Sequence, residues 1–169
     1  MHSTTDLMVE IRNQENPVIS DIEKIEIEID RLPLDAAGIK DPKTLHEARF
    51  SVYFIAALAL RDGQVTMENF TDEKVNDLEI IALKEKIYAT GLNNVALSSK
   101  VRVIMKNGKV YDRFTPGPKG SQENPFTTEE VENKFKITSG LSLKKAEQVI
   151  DRIMNIEELS SARDIFSLC

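Results

Sequence analysis

From residue 52 to residue 60 every position is apolar or aromatic, VYFIAALAL, and the run ends abruptly at Arg61-Asp62-Gly63. A helix with no polar stripe has no face to offer water, so this one is predicted to lie at the centre of the core. Thr44 followed by Glu47 fits a capping box, which places the start of one continuous helix at residue 44. Gly63 supplies the stop. The run is too short to cross a bilayer. Upstream, Ile25, Ile27 and Ile29 alternate with Glu26 and Glu28, the period-two pattern of a strand with one dry and one wet face. Residues 3–13 read as a short helix with Leu7, Met8 and Ile11 on one side, broken at Asn16-Pro17.

Further patterns complete the order of elements. Residues 31–43, with two prolines and a glycine, read as a connection, and Thr71 as an N-cap. Residues 78–87 read as a helix carrying Ile80, Ile81, Leu83 and Ile87, ended by residues 91–94. Asn107-Gly108 between KVRVIMK and KVYDRF predicts a β-hairpin closed by a type I′ turn. Thr127 with Glu130 forms a second capping box. Ser142 caps a helix in which Leu143, Ala146, Val149, Ile150, Ile153 and Met154 follow a 3.6-residue period, and Leu159, Ala162, Ile165 and Phe166 repeat the device. A hairpin among helices, without βαβ alternation, predicts an α+β fold: a small antiparallel sheet packed against several helices, one of them fully buried.

At 169 residues the chain has length enough for a core without disulfides. Its one cysteine, Cys169, excludes an internal bridge and a cysteine-based metal cluster, and suits a reducing cytoplasmic setting. The first residues carry neither a basic nor an apolar targeting region, and no membrane segment is expected. A net charge of −6 with interspersed signs argues against nucleic acid as partner. Lys100, Arg102 and Lys106 recur within a strand and read as a solvated or cross-strand-paired face, as do Glu26 and Glu28. With two histidines only, His2 and His46, no zinc pattern forms. Neither a nucleophile elbow nor a phosphate or dinucleotide loop is present, so no metal or cofactor is expected, and the residues alone name no reaction.

The segment HEARFSVYFIAALALRDGQVTMENFTDE, residues 46–73, resembles the MmgE/PrpD family, which includes 2-methylcitrate dehydratase, cis-aconitate decarboxylase and iminodisuccinate epimerase. The strand at residues 22–29, the hairpin VRVIMKNGKVYD, the segment ENPFTTEEVENKF and the closing NIEELSSARDIF resemble further family blocks in the same order. The resemblance implies that residues 1–18 are the end of the family's large helical region or a linking helix, and residues 19–169 its smaller C-terminal α+β domain. It implies a metal-independent, dimeric enzyme of propionate or related polycarboxylate metabolism, most closely 2-methylcitrate dehydratase, in which this chain is incomplete without a large helical domain or subunit. On the same ground His2 is the expected catalytic residue, and Arg49 matches a basic position suited to a substrate carboxylate. Phe54 stands where many relatives place a tyrosine, keeping the ring and losing the hydroxyl. The competing expectation is a non-catalytic dimerisation or protein-interaction module derived from that domain.

Overall fold

The computed structural model describes residues 1–66, 68–93, 97–161 and 163–166, which fall into two compact units, Met1–Asn124 and Pro125–Cys169. Cys169, Asn94 and Ala162 lie outside the described residues, as does the side chain of Phe166. In the first unit, α1 (His2–Glu15) leads to β1 (Ile22–Asp30), α2 (Arg31–Ala37), α3 (Leu45–Ala48), α4 (Val52–Asp62), α5 (Asp72–Val75) and α6 (Leu78–Lys84). Strands β2 (Ile87–Leu92), β3 (Ser99–Met105) and β4 (Val110–Thr115) follow. The second unit holds α7 (Thr128–Thr138), α8 (Leu143–Met154) and α9 (Arg163–Phe166).

The fold is α+β, with a four-stranded sheet in the order β2-β1-β3-β4. The sheet is mixed where an antiparallel one was expected. β1 pairs antiparallel with β3 and β3 with β4, but β2 lies parallel to β1, with Ile25 opposite Ile87. The first residue of β2, Ile87, was read as the last of a helix, and residues 91–94 as the stop after it. Ile87 falls one helical turn after Leu83, and the two periods coincide there. Lys84–Lys86 end the helix instead, and the Ile25 N–H bonds the Lys86 carbonyl.

Ile25, Ile27 and Ile29 are all buried, and on the opposite face Arg102 bonds Glu26 at 2.7 Å while Lys100 and Arg102 both approach Asp112. The alternation thus produced the dry and the charge-paired face expected of it. The hairpin is present, but its turn is not type I′. Positive φ is confined to Gly108 (φ 83), and Gly108 N–H bonds the Met105 carbonyl while Met105 N–H bonds Lys109. This is a longer loop in which only the glycine is left-handed, so Asn107 serves instead through its side chain, accepting from Lys109 N–H.

The predicted continuous helix from residue 44 is two helices. Ser51, wholly buried, interrupts it, accepts from Phe54 N–H at 3.0 Å to cap α4, and pairs with Gly38 in an isolated bridge. Thr44 does cap α3, but Glu47 reaches past it to the Lys43 N–H. The segment read as a connection contains α2, with Pro33 in its first turn, where a missing N–H costs nothing. Helix α4 is enclosed by α1, α6 and β2, with Val52, Phe54 and residues 56–60 buried; only Tyr53 and Ile55 are partly exposed before Arg61. Gly63 ends it at φ 72. In the second unit Thr127 and Glu130 form the complete capping box, whereas Ser142 precedes α8 without a side-chain cap bond.

Past the apolar run, Arg61 binds Asp62 and Asp77, and Lys74 binds Asp62, fastening α4 to α5 and α6. Burial pushes both carboxyls up; Arg61, helped by Lys74 at Asp62 and by the Ile80 and Glu79 N–H groups at Asp77, more than offsets it and holds both below the ordinary 3.8. A carboxyl lowered in the folded state stabilises fully above its unfolded value and loses that contribution as pH falls through its folded one. Arg61→Met is therefore expected to cost about 2 kcal/mol at neutral pH. It should also flatten the loss of stability that the parent shows below about pH 4. Urea denaturation across pH checks both, and an unchanged acid limb would contradict the assignment.

Glycine substitutions separate conformation from space. At Gly108 a Cβ meets nothing within 4 Å, so Gly108→Ala is expected to cost about 1 kcal/mol from φ alone. At Gly63 a Cβ would also stand 2.6 Å from Asn13 Oδ1, the movable end of an exposed side chain, so Gly63→Ala should cost at least as much by the same measurement. A clearly smaller cost at Gly63 would contradict the left-handed assignment there.

Candidate functional site

The first turn of α1 begins at His2, and no side chain caps it or places a carboxylate there. Ser3 and Thr4 turn inward, Ser3 donating to the Leu97 carbonyl and Thr4 sharing a 3.0 Å bond with Ser99, which fixes the rotation of the helix and leaves His2 exposed. Thr5, one turn on, shares the His2 face.

Arg49 follows directly on α3, a helix of one turn held from both sides. Ile39 N–H bonds the Phe50 carbonyl, and in the same connection Asp41 accepts from the buried Lys84 at 2.7 Å and from Lys43. Lys43 foremost and Lys84 next hold the Asp41 carboxyl down to about 2. A third wall comes from the loop after α4, where Asn69 accepts from Thr66 N–H at 2.6 Å and donates to the Gln64 carbonyl at 2.8 Å.

These pieces meet around an open cleft of about 500 Å³ lined by His2, Thr5, Arg49, Ile55, Thr66 and Phe70, with Met1 and Val65 completing it. The floor is apolar and the rim carries an imidazole, a guanidinium and two hydroxyls. A guanidinium presents a forked pair of donors to a carboxylate, and an imidazole holds or moves a proton beside it. Two of the three residues singled out in the sequence are thus brought together. The third, Phe54, is not in the lining; it is 1% exposed and meets Phe70 edge-to-face at 5.5 Å, so it supports the floor from behind.

Thr5, Thr66 and Phe70 were missed. Helical spacing from His2 pointed to Thr5, but no periodicity marks a loop residue such as Thr66. The second histidine, His46, packs against Phe50 with ring centroids 5.5 Å apart and does not line the cleft.

A family model described as the MmgE/PrpD C-terminal domain matches residues 1–158. Over 125 residues the chain is 24% identical to the cis-aconitate decarboxylase of Mus musculus, covering 70% of this chain and 26% of that protein. Over 134 residues it is 25% identical to the cis-aconitate decarboxylase of Homo sapiens, covering 75% of this chain and 28% of that protein. The chain spans about a quarter of the length of these curated relatives. With a family match running from its first residue into the second unit, the chain belongs to the MmgE/PrpD family and corresponds to its C-terminal domain.

Proposed function

We propose that this chain is the small domain of a polycarboxylate-transforming enzyme, active only when a large helical domain or subunit closes the open side of the cleft. Residues 1–18 are then the join to that helical part and residues 19–169 the domain itself. The observation that carries the reading is the convergence of His2 and Arg49, from separate elements, on one cleft with an apolar floor.

In this reading Arg49 binds a substrate carboxylate, and His2 holds or transfers a proton at the adjacent carbon. The substrate's hydrocarbon part rests on Ile55 and Phe70. Phe54 contributes a ring without a hydroxyl, which sets the shape of the floor and offers no hydrogen bond. Two reactions suit the arrangement. In dehydration, as of 2-methylcitrate, a base takes the proton beside a carboxylate and hydroxide leaves with a proton from an acid. In decarboxylation, the chemistry named for the curated relatives, the carbon–carbon electron pair stays on the substrate carbon and is protonated as carbon dioxide departs. One-sided openness is the reason turnover is assigned to the assembly.

Co-production with a helical MmgE/PrpD large domain, followed by assays on 2-methylcitrate, citrate, cis-aconitate and iminodisuccinate, tests the proposal. The pair should turn over one of these acids and this chain alone none. In the active pair Arg49→Ala should lower kcat/KM by about 100-fold, mainly through KM, and His2→Gln by a similar factor through kcat. Turnover by the chain alone, or indifference to both substitutions, would overturn it.

A further inference from the structure

Lys84 ends α6 with its side chain only 3% exposed. A lysine is rarely so enclosed, because the cost of withdrawing an ammonium from water can exceed what one ion pair returns, and an apolar side chain of similar length would serve stability at least as well. Its presence therefore asks for a reason other than stability. Lys84 Nζ donates to Asp41 Oδ1 at 2.7 Å, on a side chain that is itself 58% exposed. The contact joins residues 43 positions apart and leads out of the core, not deeper into it.

Asp41 belongs to the loop 38–51, whose base is closed by the Gly38–Ser51 bridge and by the bond from Ile39 N–H to the Phe50 carbonyl. Between those ends the loop buries only Pro42 and Ala48, with Leu45 partly covered by the core. Its internal bonds, from Lys43 N–H to Glu47 Oε2 at 2.6 Å and from Glu47 N–H to Thr44 Oγ1 at 3.2 Å, shape the loop without fastening it to another element. Among the described residues, the Asp41–Lys84 pair is the one side-chain bond that ties residues 39–50 to the rest of the unit. Arg49 rides on this loop. Its guanidinium makes no hydrogen bond or ion pair to another described residue, so its donors are all kept for the cleft and the backbone beneath decides where they stand. α6, in turn, stands on the core through Ile80 and Leu83 and packs against α4, the helix that supplies Ile55 to the floor.

We propose that Lys84 is a positioning residue for substrate binding: through Asp41 it fixes the loop that carries Arg49, and so sets the guanidinium against the apolar floor. The inference rests on the reading of the cleft given above. A forked contact to a carboxylate tolerates little displacement, so loss of the tie weakens binding and leaves the proton chemistry at His2 alone. Steady-state kinetics of the assembled pair on 2-methylcitrate, citrate, cis-aconitate and iminodisuccinate tests it, with Lys84→Met, which leaves no unpaired charge inside and keeps Asp41 beside Lys43. For each acid turned over, KM is expected to rise about 10-fold with kcat within about twofold and circular dichroism unchanged. Asp41→Ala, altered at the exposed end of the tie, should do the same and carries the test if Lys84→Met does not fold. In an Arg49→Ala background both substitutions should be silent, since no guanidinium is left to place. If Arg49→Ala raises KM while the other two do not, or if their effects multiply with it, the positioning role falls and the cleft reading stands. A pair that turns over none of the acids, or a KM indifferent to Arg49→Ala, would overturn both.

Discussion

Nine successive apolar or aromatic side chains, with the Tyr53 hydroxyl the one polar group among them, drive α4 to enclosure, and the first unit is organised around that constraint. α1 and α6 flank it and the dry face of the sheet supplies Ile25, Ile27 and Ile29 to the same core. Polar chemistry is pushed to the two ends of the helix. Its C-terminal end is closed by Gly63 and tied down by the Arg61, Asp62 and Asp77 cluster. Near its N-terminal end, Ile55 emerges into the cleft.

The rim of the cleft is correspondingly built from what surrounds the enclosed helix. α1 is held in rotation by two inward hydroxyl bonds, α3 by the pinned segment before it, and the loop after α4 by Asn69. None of these rim elements has a large core of its own. α1 also packs Leu7, Met8 and Ile11 into the core, whereas the segment before α3 and the loop after α4 are fixed by short polar contacts.

This division also accounts for what was legible in the sequence. Ile25, Ile27 and Ile29 announced a strand because alternation encodes a face directly, and residues 52–60 announced a core helix because composition alone forces burial. Ser51 was overlooked because a serine inside an apolar run looks tolerable within a helix; its role depends on a bridge to Gly38. The parallel pairing of β2 was hidden because pairing partners are chosen in three dimensions and Ile87 fits either period. At the site, His2 and Arg49 rested on likeness to a family, and their meeting on one cleft appears only in the fold. Thr66 and Phe70 come from a loop in which hydrogen bonds, and not hydrophobic periodicity, set direction.

One of the two outer strands, β4, bears on how such a domain behaves when crowded. Arg113 is drawn back to Glu10 at 3.0 Å and Glu15 at 2.8 Å, both on α1. A free sheet margin is a template on which other chains can zip, and natural proteins blunt it with charge. Tethering a paired cation beside that margin places charge where an added strand would have to pack, which disfavours strand addition on this side of the sheet.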